Sequence, residues 1–141
     1  MKKLLLATTI AGLSLGLSTP TIAADDQYEA YQASITERGG SGVSGLAIFD
    51  PENGTVNVMV EAQNADGMSV GIHRGVCRYA EDSEGAPEDF AFQAEPEFPA
   101  ASIADGKATS SIDIAIPEMM NEPRSVAIHD GDTIAACGNI Q

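Results

Sequence analysis

The chain has no tryptophan, two histidines, two cysteines and only seven basic residues among its 141. Those seven face 21 acidic residues, a net charge of −14, so the surface repels phosphate backbones and anionic lipid. Nucleic acid is therefore not an expected partner. Several signatures are also missing. Neither histidine lies near a Gly-x-Ser-x-Gly elbow, so a serine nucleophile has no motif. The glycine-rich Gly39-Gly40-Ser41-Gly42 is followed by no Gly-Lys-Ser/Thr, which removes a phosphate loop and leaves a link between early strands. Internal repeats are absent, and no segment beyond the N-terminal apolar run sustains a 3.6-residue period over ten residues.

What is present begins with an export pattern. Lys2 and Lys3 precede an apolar run over residues 4–17, and Pro20-Thr21-Ile22-Ala23-Ala24 supplies small residues for cleavage. This reads as a secretory signal peptide over residues 1–24, cut after Ala23 or Ala24, with a core too short for a mature membrane span. No cysteine stands near the cut to carry a lipid, and no second apolar run follows, so no membrane anchor is expected. The expected product is one exported domain over residues 25–141, periplasmic or secreted. Without Lys2 and Lys3 it keeps five basic residues against 21 acidic ones, a net charge of −16. Such charge favours a soluble monomer.

Period-2 patterns predict strands. Residues 55–61 place Val56, Val58 and Val60 on one face, and residues 111–116 do the same with Ile112, Ile114 and Ile116. Residues 43–49, 126–129 and 133–140 are further β-rich runs. Asp50-Pro51-Glu52-Asn53-Gly54 reads as a hairpin loop, and residues 64–67 and 104–107 as similar turns. The fold class is therefore all-β: an antiparallel sandwich or flattened barrel.

Residues 80–101 interrupt this rhythm with seven acids and Pro87, Pro96 and Pro99. They read as a solvated loop without EF-hand spacing, tucked onto the sheet by Phe90, Phe92 and Phe98. Cys77 and Cys137 have only each other to pair with in an oxidising compartment, so one disulfide is expected. It would tie the segment 71–77, GIHRGVC, to the closing stretch 124–141 and bring His73 near His129.

These segments (GIHRGVC, SVAIHDG and AACGNI) resemble the Cu,Zn superoxide dismutase fold family and its shorter exported relatives. The resemblance covers most of residues 41–140 and is poor in the middle loop. It implies the family's Greek-key β-sandwich or flattened barrel, with a His-x-His pair on one strand, a cysteine soon after, a C-terminal copper-binding histidine and a closing Ala-Cys-Gly. Matched to this chain, Gly71 takes the first copper-ligand position, His73 the second and His129 the C-terminal one. No histidine remains for the metal bridge or for zinc, so zinc is not expected. Ile134 stands where the family carries its active-site arginine, three residues before the last cysteine. The resemblance thus implies a dismutase-like protein without the complete catalytic site, holding at most one copper ion through His73 and His129. Met68 is the nearest soft donor. The alternative is a metal-free structural or interaction module, and weak copper-dependent superoxide dismutation is a third option.

Overall fold

The computed structural model describes residues 30–82 and 84–140. The signal-peptide reading over residues 1–24 lies outside them. Eight antiparallel strands form one sheet: β1 Tyr31–Glu37, β2 Ser44–Glu52, β3 Thr55–Gln63, β4 Ser69–Arg74, β5 Ala101–Ser102, β6 Lys107–Ile112, β7 Arg124–Asp130 and β8 Thr133–Ile140. Their order is β5-β4-β7-β8-β1-β2-β3-β6. The end strands β5 and β6 are themselves joined through Asp105-Gly106, with Ala104 bridged to Lys107, so the sheet curls into a near-barrel. A single helical turn, α1 Ile116–Met119, is the only α-helix among the described residues.

Alternation explains the interior. Val56, Val58 and Val60 of β3 are buried, as are Ala33 and Ile35 of β1 and Ala47 and Phe49 of β2. Across the barrel, Val70 and Ile72 of β4 and Val126 and Ile128 of β7 complete the same core. The three isoleucines 112, 114 and 116 are all buried, but β6 ends at Ile112 and Ile116 opens α1. Pro117 at the first turn accounts for the change: its fixed φ suits a helix start and it has no amide for a ladder. The β2–β3 hairpin is tighter than the sequence suggests. Asp50, Pro51 and Glu52 are paired in β2, and only Asn53 and Gly54 turn, both at positive φ (51° and 85°). Strand β1 is not among the expected strands, although Tyr31, Ala33 and Ile35 alternate with Gln32, Ser34 and Thr36.

A second, smaller cluster lies outside the barrel, on the outward face of β4, β7 and β8. It contains Cys77, Phe92, Ala127 and Cys137, with Tyr79, Ala80 and Ile134 packed around them. Residues 75–82 and 84–100 cover it. The backbone of this segment is bonded to β4, from Gln93 N to Arg74 O (3.0 Å) and from Glu97 N to Ile72 O (2.7 Å). Of the three phenylalanines expected to hold it down, Phe92 is buried and Phe98 packs on the main core, while Phe90 is exposed.

The cations are largely consumed in ion pairs: Arg38 with Glu81, Lys107 with Glu61, and Arg74 and Arg124 with Glu97 and Glu122. Among the described residues, most carboxylates therefore form no ion pair. Their mutual repulsion is screened as ionic strength rises, over a Debye length that shrinks to about 8 Å at 0.15 M. The thermal midpoint is expected to rise from low salt to 0.15 M and beyond. A midpoint that stays level or falls would show that local ion pairs outweigh the self-repulsion.

Candidate metal site

Strand register brings the two histidines to one place. In the β4–β7 pair, Ser69 lies opposite His129, Gly71 opposite Ala127 and His73 opposite Ser125. Residues 69, 71 and 73 face outward on β4, as do 125, 127 and 129 on β7, so both imidazoles sit on the outer face, beside the covering segment. In projection the two residues lie at opposite ends of this patch. They meet because His73 leans across Gly71. A Cβ built at Gly71 would stand 3.2 Å from His73 Nε2 and 3.0 Å from Pro96 Cβ. The position where the resemblance places a missing ligand is thus filled by the His73 ring and Pro96.

His73 Nε2 and His129 Nε2 are 2.9 Å apart, and the ring centroids are 4.9 Å apart. His73 Nδ1 is 2.9 Å from the Gln93 carbonyl oxygen. A carbonyl only accepts, so Nδ1 carries a hydrogen, and in neutral His73 the Nε2 lone pair accepts the bond from His129 Nε2–H. Phe92 stacks on the other side of the His73 ring at 4.8 Å. Burial lowers the pKa of His73, partly offset by the Gln93 carbonyl, and His129 lowers it further by charge repulsion. Burial alone lowers that of His129. Both rings are therefore neutral at pH 7, the form in which imidazole ligates metal.

Exposure of the two rings differs. His73 is 0 % exposed, while His129 is half-buried and lines an open recess of about 700 Å³ with Glu81, Glu95, Asp132 and Ile134. Cys77 and Cys137 are bonded, with Cα atoms 5.7 Å apart, inside the range expected of a disulfide. Met68 is elsewhere. It shares the parity of Val70 and Ile72 and packs against the main core, so the structure does not bring it to the histidines. Ile134 faces His129 in the β7–β8 register and leaves no positive charge there. Among the described residues, no group of three or more His, Cys, Asp or Glu side chains is placed to hold a metal.

Sequence reasoning missed what fixes the covering segment. Arg124 is 3 % exposed and grips Glu97 with two bonds, Nε to Oε2 at 2.6 Å and Nη2 to Oε1 at 3.1 Å. Its Nη1 donates to the carbonyls of Glu118 (3.1 Å) and Met119 (2.7 Å) at the end of α1. Arg74 bonds the same Glu97 carboxylate from the solvent side. The clamp pins the segment four residues beyond Gln93, whose carbonyl orients His73. An arginine opening an apolar strand run was the one signal available. Ser125 was also unforeseen: its hydroxyl is buried with no hydrogen-bond partner among the described residues, and nothing in the structure explains it.

No protein-family model matches the chain, and no curated protein matches it in sequence.

Proposed function

We propose that the protein is an exported, superoxide dismutase-like β-barrel that holds a single copper ion between His73 and His129 and lacks the rest of the dismutase site. The observation that carries this reading is the 2.9 Å approach of two neutral Nε2 atoms beside an open recess. At that separation both nitrogens can reach one ion at an ordinary bond length of about 2 Å. Imidazole is a suitable donor for copper, and two nitrogens leave the remaining positions to solvent on the recess side. A bound copper would supply one-electron redox chemistry. The strand order supports the Greek-key part of the reading, because β4 neighbours β7 and β3 neighbours β6, both non-sequential pairs. Zinc has no separate ligand set in this proposal, and dismutation would be slow, since no cation replaces Ile134.

Neutral imidazoles give the copper test a defined pH signature. Loading the pair exchanges a shared hydrogen bond for the metal by moving the His129 proton to Nδ1, with no net proton release. Calorimetry at pH 7.5 is expected to show about one copper(II) per chain, with a heat that does not depend on the buffer's ionisation enthalpy. Both folded pKa values are lowered from 6.5, so affinity stays level down to about that pH and weakens only below it, as the rings protonate. The His73→Ala, His129→Ala double variant should lose the site. Binding indifferent to both substitutions, or no site-specific binding at neutral pH, rules the copper reading out.

That outcome would favour the metal-free alternative, which has its own supporting observation. The Nε2–Nε2 and Nδ1–carbonyl bonds already satisfy the buried His73 ring. The pair would then be a polar tie between sheet and covering segment.

A further inference from the structure

We propose that the recess beside His129 admits copper as a cation and turns away anionic reactants, so that its substrate class is the hydrated metal ion or a cationic carrier of it. This rests on the copper reading above and specifies what reaches the pair. Because His73 is wholly buried beneath Phe92, Gln93 and Pro96, the pair is open only past His129. Every charged side chain lining that approach is acidic: Glu81, Glu95 and Asp132. Arg38 lies 3.4 Å from Glu81 and offsets it in part. Glu95 and Asp132 form no ion pair among the described residues.

Both of these carboxylates are held at the entrance by their backbones. Glu95 lies midway between Gln93, bonded to β4 and to His73, and Glu97, clamped by Arg124. Asp132 stands in the two-residue turn joining β7 to β8, three residues past His129. A cleft with low-dielectric walls and charges of one sign focuses its field along the entrance. This raises the encounter rate of oppositely charged ligands by about 10- to 1,000-fold and lowers that of like-charged ones. The apolar Ile134 opposite His129 does nothing to reverse the sign. The entrance is therefore built for cation capture, and an anion such as superoxide meets repulsion where a cationic guide would be needed.

The test compares two double variants that each remove two negative charges. Glu95→Gln with Asp132→Asn alters the entrance. Asp50→Asn with Asp113→Asn alters exposed acids near the end of β2 and just after β6, strands hydrogen-bonded to neither β4 nor β7, and neither acid lines the recess. Stopped-flow association of aqua copper(II) at low ionic strength is expected to slow by about tenfold in the first and by less than about twofold in the second. The difference should shrink at 0.3 M salt. With the anionic copper(II)–nitrilotriacetate complex the order should invert, the entrance variant reacting faster than the parent. Equal rates for the two double variants with aqua copper would overturn the inference while leaving the site intact. Copper uptake unchanged in the His73→Ala, His129→Ala protein would instead remove the site itself.

Discussion

A chain carrying serine at both position 77 and position 137 is expected to lose about 4 kcal/mol of stability at neutral pH. The sequence separation of the two half-cystines is 60 residues, and cross-linking a loop of that length removes a corresponding amount of chain entropy from the unfolded state. For one domain of this size the loss is comparable to the whole net stability. The native side adds to it. Cys77 opens a single 3₁₀ turn whose backbone amide is received by Asn139 Oδ1 at 2.8 Å, so the bond and this contact together dock the covering segment on β8. Urea unfolding of the double serine variant against the oxidised parent measures the effect. A fall of less than about 1 kcal/mol would mean that the reduced chain remains ordered near β8 when unfolded elsewhere.

The second large effect is expected at Arg124. Replacing it by methionine keeps much of the side-chain volume and removes the charge that Glu97 was buried against. Breaking a buried pair by deleting one partner costs about 3–5 kcal/mol. Here the lower end applies, because Arg74 still reaches the carboxylate from solvent and Glu97 is itself partly exposed. The further substitution Glu97→Gln should recover part of the loss, since it removes the stranded charge. Acid dependence follows from the same pair. The hydrogen bond from Arg124, followed by that from Arg74, lowers the Glu97 pKa below 4.5 against the opposing cost of burial. Its contribution is therefore present above that value and is lost as pH falls through the lowered folded one. In the methionine variant the acid limb of the stability profile should flatten. If it keeps the parent's shape, Arg124 is not what holds Glu97 ionised.

How much of this could be seen in the residues alone differs between strands and site. Valines at every second position of β3 declared both its conformation and its buried face, because one strand alternation needs no partner to be read. The run 111–116 had the same alternation yet became half strand and half helical turn. Pro117 ended the ladder, and burial of the three isoleucines survived the change of backbone. The disulfide followed from there being two cysteines and no other partner. The meeting of His73 and His129 was legible as proximity only. Its 2.9 Å closeness depends on the space above Gly71 and on the Gln93 carbonyl, which comes from a loop with no period to read. Met68 looked close in sequence, five residues before His73, but it precedes β4 and packs against the main core rather than on the outer face that carries the histidines. The Arg124 clamp depends on a partner 27 residues away across an irregular segment, and no local pattern announces such a pair.

The way the sheet ends carries a consequence for encounters between copies of the chain. An open strand edge offers a row of unpaired amides on which another chain can template a strand. In this sheet one terminal strand, β5, is only two residues long, and the gap between β4 and β6 is lined by Phe98 and Pro99. Proline has no amide to offer, and a two-residue strand is too short to register a partner. Joining the terminal strands through Asp105-Gly106 thus leaves intermolecular strand addition little to start from on the β5 side of the seam.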